Sequence, residues 1–129
     1  KALKEITSEL ICKRAIPLAV SGAFHSPFMQ EASTAFAKEL DLIDFREAVV
    51  PVISNEDPSP TCDQSLLKER LKKQMTTGVR WRETMNIFSQ KGIQTLVEIG
   101  PGNVLSGLAK RALSGLTITQ ISTASDLGI

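Results

Sequence analysis

The single histidine of the chain, His25, is the residue most capable of doing chemistry. It lies in the segment SGAFHSPFM (21–29), between an apolar run and a stretch with helical periodicity. A neutral imidazole is the commonest general base near neutral pH, whereas a lone loop histidine is more often structural or exposed. Taken alone, the segment leaves both interpretations open.

A catalytic base needs a nucleophile on one side and an acceptor for its other ring nitrogen. Ser26 is adjacent to His25, but consecutive side chains point in different directions, which makes it a poor partner. No segment has the G-x-S-x-G pattern of a nucleophile elbow. If His25 is a base, the chain therefore carries it without its nucleophile.

A second candidate is VEIGPGNVLSGLAKR (97–111), because a strand, G-x-G and a helix start could bind phosphate. The pattern departs from the dinucleotide fingerprint, since Leu105 stands where the third glycine belongs. It also lacks the Gly-Lys-Ser/Thr of a P-loop. The alternative is that Gly100 and Gly102 only form a sharp turn between a strand and a helix.

Two basic pairs, Lys13–Arg14 and Lys110–Arg111, are either solvated or phosphate-binding. Cys12 and Cys62 are isolated, without CxxC spacing, which indicates a reducing compartment and no metal site. A single disulfide between them stays open at this point.

Composition restricts the class of protein further. The 129 residues are enough for one domain, with 42% hydrophobic and 22% charged residues. Fifteen basic against fourteen acidic side chains give a net charge of +1, which does not favour nucleic-acid or membrane-surface binding. No apolar run approaches the ~20 residues of a membrane helix. The amphipathic start KALKEITSEL is unlike a signal peptide, and its abrupt helical beginning without Met indicates a piece of a longer or processed chain.

Alternating strand and helix patterns predict an α/β fold with at least partly parallel strands. Asp63 is a predicted N-cap and Gly92 a predicted helix end. The expected helices cover 1–11, 27–40, 64–75, 82–92 and 104–113, and the expected strands cover 14–20, 48–54, 94–99 and 116–122.

Four segments in this order and spacing resemble the malonyl-CoA:acyl-carrier-protein transacylase family, which includes the acyltransferase domains of polyketide synthases. The segments are KRAIPLAVSGAFHSPFM, VPVISN, LKKQMTTGVRW and LVEIGPGNVLSGLAKR. The resemblance implies an α/β-hydrolase-like core with an inserted ferredoxin-like subdomain. Residues 1–21 would end that small subdomain, and residues 22–129 would form the C-terminal part of the large one. The absent N-terminal half would hold the serine nucleophile of G-H-S-x-G, a malonyl-binding arginine and the oxyanion-hole amides.

By this resemblance, His25 is the base that activates the serine in ping-pong transfer of malonyl from malonyl-CoA to the phosphopantetheine thiol of acyl carrier protein. Its orienting partner would be the backbone carbonyl of Gln74. Phe24 and Ala23 match the motif of malonyl-selecting members, since an aromatic ring fills the space of an α-methyl group. Gly22 departs from the histidine of the polyketide-type motif, which favours a discrete enzyme of fatty acid biosynthesis.

The resemblance also assigns binding roles. Lys13 and Arg14 would border the entrance, meeting the phosphopantetheine phosphate and the acidic carrier protein. Asn55 corresponds to a polar position near the floor of the site. No metal or cofactor is expected, and the full-length protein is expected to be monomeric and cytoplasmic, or stromal in a plastid.

Two alternatives remain beside a discrete transacylase. One is an acyltransferase domain of a polyketide or fatty-acid synthase. The other is a non-catalytic module that binds carrier protein or CoA. Because the nucleophile is missing, we expect these residues alone to be inactive. If the small subdomain is cut within its sheet, strand edges and apolar surface are exposed, and self-association would be one outcome.

Overall fold

A computed structural model of the chain describes residues 5–6, 11, 20 and 22–128. Short 3₁₀ turns precede the first of its helices and follow its last strand, at Pro27–Met29 and Ala124–Leu127. The helices and strands in chain order are α1 (Gln30–Asp41), α2 (Gln64–Lys73), α3 (Trp81–Gln90), β1 (Thr95–Ile99), α4 (Val104–Ala112) and β2 (Thr117–Ile121).

The helix ends follow the local signals of the sequence. Asp63 caps α2, because its carboxylate Oδ1 accepts the backbone N–H of Leu66 at 2.7 Å. After α3, Gly92 adopts a positive φ of 65°, a conformation that glycine takes without steric cost. These two helices therefore begin and end within about two residues of the predicted positions.

Helices α1 and α2 pack against one another through a narrow face. Leu40 and Ser33 of α1 are buried, and the Ser33 hydroxyl donates to the carbonyl of Lys72 at 2.9 Å. Phe28 lies in the 3₁₀ turn before α1, and its side chain is 89% exposed.

The second half of the molecule is a β–α–β unit. Strands β1 and β2 pair in parallel over their full length, from Thr95 opposite Thr117 to Ile99 opposite Ile121. Helix α4 connects them and contacts both β1 and α3. The buried apolar side chains here are Met85 of α3 and Ala109 of α4, so the core lies between the two helices and the sheet.

The predicted strand at 48–54 is not formed. This β-branched segment makes an isolated antiparallel bridge between Val52 and Thr61, and the Ala48 N–H donates to the Cys62 carbonyl at 2.9 Å. Val49 is fully exposed. The composition of the segment favours extended backbone, but a strand also needs regular pairing along its length, and within 22–128 its pairing with residues 61–62 does not extend into a ladder.

Large apolar side chains lie exposed on several elements, as expected from the sequence. Ile99 of β1 is 79% exposed and Val104 of α4 is 68% exposed. Cys62 is a free, half-buried thiol. None of the described helices is long and apolar enough to cross a bilayer. The predicted subdomain boundary at residue 21, with the expected elements before it, falls on residues that are largely outside the described ranges and stays a prediction.

Arg70 of α2 fixes the irregular segment before that helix. Its guanidinium contacts the Asp57 carboxylate at 2.6 Å and the Ser59 carbonyl at 2.7 Å, and the residue is only 8% exposed. The N–H of Ser59 and the Arg70 guanidinium both contribute to holding the pKa of the Asp57 carboxyl below its ordinary value. A turn rich in proline and polar residues is thereby tied to α2.

Replacing Arg70 with Met keeps the aliphatic stem but removes both charged hydrogen bonds. We expect the free energy of unfolding to fall by about 2 kcal/mol, the usual loss for hydrogen bonds to a charged group. Urea denaturation measures this, with Arg46→Met at an exposed position as the matched control. Equal stability of the two variants would contradict the assigned role of Arg70.

Candidate active site

His25 occupies an unusual backbone conformation. Its φ is 64°, and it is the non-glycine residue with positive φ in the described part of the chain. This left-handed region costs an L-residue about 1–2 kcal/mol. The Ser26 hydroxyl donates to the Ala23 carbonyl at 2.6 Å and closes the loop around His25. Such a conformation persists only where surrounding contacts hold it.

The holding contacts come from the turn after α2. The backbone N–H of His25 donates to the carbonyl of Met75 at 2.8 Å. The ring Nδ1 lies 2.8 Å from the carbonyl oxygen of Gln74 and 3.2 Å from that of Thr77. Three carbonyls of one turn thus surround His25.

These contacts determine the tautomer of the imidazole. A carbonyl oxygen can only accept a hydrogen bond, so Nδ1 must carry the proton. In the neutral ring Nε2 then bears the lone pair, and Nε2 makes no hydrogen bond to the residues in 22–128. The arrangement presents an unprotonated nitrogen that can accept a proton from another group.

A cavity of about 310 Å³ adjoins the imidazole. Its walls bring together four of the residues singled out in the sequence, together with two apolar side chains. The lining residues are Phe24, His25, Phe36, Asn55, Gln74 and Met75.

Phe24 and Asn55 both line the cavity, and they differ in their surroundings. Phe24 is 56% exposed beside His25. The carbonyl of Asn55 accepts the N–H of Arg80 at 2.9 Å, which ties the cavity floor to the start of α3. Ala23 does not line the cavity; its carbonyl accepts the Ser26 hydroxyl within the loop. Lys13 and Arg14 lie outside the described residues, so their predicted roles stay predictions.

The G-P-G segment has a structural explanation that the sequence suggested only in outline. Gly100 and Gly102 have φ of 132° and 92°, which require glycine. The carboxylate of Glu98 accepts the N–H of Leu105 at 3.2 Å and that of Ser106 at 2.9 Å, as well as the Ser106 hydroxyl. An acidic side chain from β1 therefore already occupies the N-terminus of α4, where a phosphate would have to bind.

Glu98 was missed by the sequence reasoning. The available signal was an acidic residue near the end of a strand, followed at once by a glycine turn and a helix. The Ser106 hydroxyl, together with the two backbone N–H groups, lowers the pKa of the Glu98 carboxyl below its ordinary value. Elsewhere in the described ranges, no group of three His, Cys, Asp or Glu side chains is placed to hold a metal ion.

Comparison with known proteins agrees with this fold. No protein-family model matches the chain. It is 47% identical over 125 residues to the malonyl CoA-acyl carrier protein transacylase of Synechocystis sp., covering 97% of this chain and 43% of that protein. The crystal structure of the malonyl-CoA:ACP transacylase from Synechocystis sp. PCC 6803 superposes with a TM-score of 0.88 at 47% identity, covering 98% of this chain and 43% of that one.

A second solved structure is a malonyl-transacylase in complex with its type II PKS acyl-carrier protein. It matches with a TM-score of 0.79 at 37% identity, over 89% of this chain and 38% of that one. The chain spans about two fifths of the length of the relatives that it matches.

Fold and comparisons together define an α/β protein of the acyltransferase class, and the predicted fold class is confirmed. Over nearly its whole length the chain resembles a C-terminal part of malonyl CoA-acyl carrier protein transacylases, at 34–47% identity. The predicted resemblance is thereby confirmed. The catalytic and binding roles assigned to individual residues stay predictions.

Replacing Glu98 with Gln tests the capping of α4. Because the folded pKa of Glu98 is lowered, its ionisation stabilises the fold above its unfolded pKa, and this stabilisation is lost as the pH falls through the folded pKa. We expect Glu98→Gln to unfold more readily than the wild-type chain at about pH 7 and to approach it near about pH 3.

Denaturation at both pH values measures this difference. Glu47→Gln, at an exposed position, is the control. A stability difference for Glu98→Gln that does not change with pH would contradict the assignment.

Proposed function

We propose that the protein transfers the malonyl group from malonyl-CoA to the phosphopantetheine thiol of acyl carrier protein, and that this chain supplies the general base, His25. The observation that carries the proposal is the pair of carbonyl contacts at Nδ1, 2.8 and 3.2 Å long, which leaves Nε2 unprotonated beside a cavity. The relatives' names give the substrate and the acceptor.

The proposed first half-reaction begins when Nε2 takes the proton of a serine hydroxyl supplied from outside these 129 residues. The serine oxygen bonds to the thioester carbon of malonyl-CoA, and the carbon–sulfur bond to CoA then breaks. The imidazolium returns its proton to the leaving thiolate. Malonyl-serine and free CoA are the products.

The second half-reaction runs the same steps with a new thiol. Nε2 takes the proton of the phosphopantetheine thiol, and the thiolate attacks the acyl-serine. The carbon–oxygen bond to serine breaks as the imidazolium protonates the serine oxygen. One base therefore serves both half-reactions, and the enzyme regains its starting protonation state.

Main-chain carbonyls suit this base in place of the carboxylate of the usual triad. They fix the ring tautomer and orientation without burying a second charge. The turn also lies at the C-terminal end of α2, whose partial negative charge favours the positive ring that forms during transfer. Gln74 therefore contributes through its backbone oxygen and not through its side chain.

The remaining predicted residues take supporting roles in this proposal. Phe24 shapes the space next to the α-carbon of the acyl group, and Asn55 provides a polar floor. Ala23 contributes through its carbonyl, which accepts the Ser26 hydroxyl and closes the loop around His25. Lys13 and Arg14 attract the phosphopantetheine phosphate and an acidic carrier protein. We infer that the protein acts where malonyl-CoA and carrier protein meet, in the cytoplasm or the plastid stroma, and that it needs no cofactor.

A second candidate concerns the carrier protein. One relative was solved with a type II PKS acyl-carrier protein, so a polyketide carrier is the alternative acceptor to a fatty-acid carrier. Transfer rates to the two kinds of holo carrier, measured side by side, distinguish these functions.

Replacing His25 with Ala in the complete protein tests the base. We expect malonyl transfer to holo carrier protein, read by intact mass, to fall about 10²–10⁴-fold. Gln90→Ala, at the exposed end of α3, is the control and should transfer normally. The isolated 129 residues should transfer nothing.

Undiminished transfer by the His25→Ala protein would make His25 a loop residue. The non-catalytic module that binds carrier protein or CoA would then be the better description. Transfer by the isolated chain would contradict the statement that the nucleophile lies elsewhere.

Replacing Phe24 with Ser tests the selection of malonyl over methylmalonyl. Removing the ring opens space for an α-methyl group, so we expect the ratio of kcat/KM for methylmalonyl-CoA to that for malonyl-CoA to rise about 10–200-fold. Phe28→Ser, at an 89% exposed position four residues further on, is the matched control. An unchanged ratio in Phe24→Ser would remove Phe24 from specificity.

A further inference from the structure

The turn after α2 contains an unusual convergence of donors on one carbonyl. The oxygen of Lys73 accepts the backbone N–H groups of Thr76 at 3.0 Å and Thr77 at 3.2 Å. It also lies 3.1 Å from the Thr76 hydroxyl and 3.0 Å from the Thr77 hydroxyl, and both are donors to it. Two adjacent threonines thus fold back on the last residue of the helix.

The neighbouring carbonyl is held in the same way from the other side. The Ser33 hydroxyl of α1 donates to the Lys72 oxygen at 2.9 Å, at a position that is only 6% exposed. Side-chain hydroxyls therefore satisfy the oxygens of Lys72 and Lys73. The end of a helix leaves carbonyls without intrahelical partners, and these hydroxyls meet that need for two of them.

The carbonyls that follow in sequence are then left for His25. The oxygen of Gln74 and that of Thr77 face the ring Nδ1, and the oxygen of Met75 faces the backbone N–H of His25. Hydroxyls thus contact the oxygens of Lys72 and Lys73, and His25 contacts three of the oxygens that follow. Thr77 belongs to both groups, since its hydroxyl bonds Lys73 while its carbonyl meets the imidazole.

We propose that the hydroxyls of Thr76 and Thr77 are positioning groups for the imidazole: by closing the turn on Lys73, they aim three carbonyls at His25 and so maintain its left-handed backbone and its Nδ1–H tautomer. This inference rests on the proposed function, in which His25 is the base. The tautomer of the ring and the hydrogen bond of the His25 amide can nevertheless be measured without any transfer reaction.

A purely structural role for the threonines is the competing explanation. Hydroxyl-to-carbonyl bonds of this kind occur in many helices and often only accommodate a threonine. Thr34 of α1 provides such a bond, from its hydroxyl to the Gln30 carbonyl at 2.9 Å, at the exposed surface of α1. It gives a matched control, because the same chemistry is removed at a place that does not face His25.

The test compares Thr76→Val, Thr77→Val and the double variant with Thr34→Val. Valine keeps the branched shape of threonine and removes the hydroxyl. Nitrogen-15 chemical shifts of the imidazole report the tautomer directly. They are recorded in the complete protein, where the His25 signal is the one that disappears in a His25→Gln variant. Hydrogen exchange of the His25 amide reports its bond to Met75.

We expect the wild-type ring to carry its proton on Nδ1 and Thr34→Val to behave identically. In the double valine variant, we expect the Nδ1–H to Nε2–H ratio to fall about five- to tenfold, and the His25 amide to exchange faster by a similar factor, as for the loss of one ordinary net hydrogen bond. An unchanged tautomer and exchange rate in a folded double variant would overturn the proposal.

The serine variants Thr76→Ser and Thr77→Ser separate the hydroxyl from the methyl group. They keep the hydroxyl, so both readouts should stay at the wild-type values. If the serine pair behaved like the valine pair, methyl packing would be responsible and the proposal would be wrong.

If the double valine variant does not fold, the single variants are measured, and each should shift both readouts in the same direction. Failure of malonyl transfer with an intact Nδ1–H tautomer would contradict the proposed function while leaving the positioning role in place.

Discussion

The contact between His25 and the turn after α2 is the constraint on which the described site depends. A helix that ends within a protein presents carbonyl oxygens that require donors, and a left-handed histidine requires contacts that offset its strain. Here His25 supplies the donors, and the Gln74 and Met75 oxygens supply the contacts that hold His25 in place. The loop before α1 and the packing of α1 on α2 consequently meet at the same point, where the Ser33 hydroxyl completes the helix end.

Local features of the fold were predictable because local chemistry determines them. Asp63 and Gly92 mark helix ends through a capping carboxylate and a positive φ, and both signals are visible in a single residue type. The segment 48–54 shows the opposite case. Its β-branched residues favour extended backbone, but a strand forms only beside a partner, and residue composition does not identify the partner of a strand.

The site residues likewise separate into those that a residue type marks in the sequence and those that it does not. His25 and Gln74 were identified from a family resemblance carried by sequence motifs, and the structure brings them within 2.8 Å. The Met75 and Thr77 carbonyls could not be identified in this way, because every residue has a carbonyl and no residue type marks one that accepts. Glu98 escaped notice for a related reason: the glycines beside it suggested a phosphate, whereas its own carboxylate already binds the helix N-terminus.

The two sides of the imidazole differ in what they require. All contacts that hold Nδ1 and the His25 amide come from within residues 22–128, so the orientation and tautomer of the base are properties of this chain. The imidazole adjoins a cavity lined by Phe24, Phe36, Asn55, Gln74 and Met75. Under the proposed function, Nε2 takes its proton there from a serine that lies outside these 129 residues. A base can thus be fully prepared by one part of a fold and used only when another part brings the nucleophile. Under the proposed function, holding the base and presenting the nucleophile are therefore physically separate tasks, and the backbone of the turn after α2 performs the first.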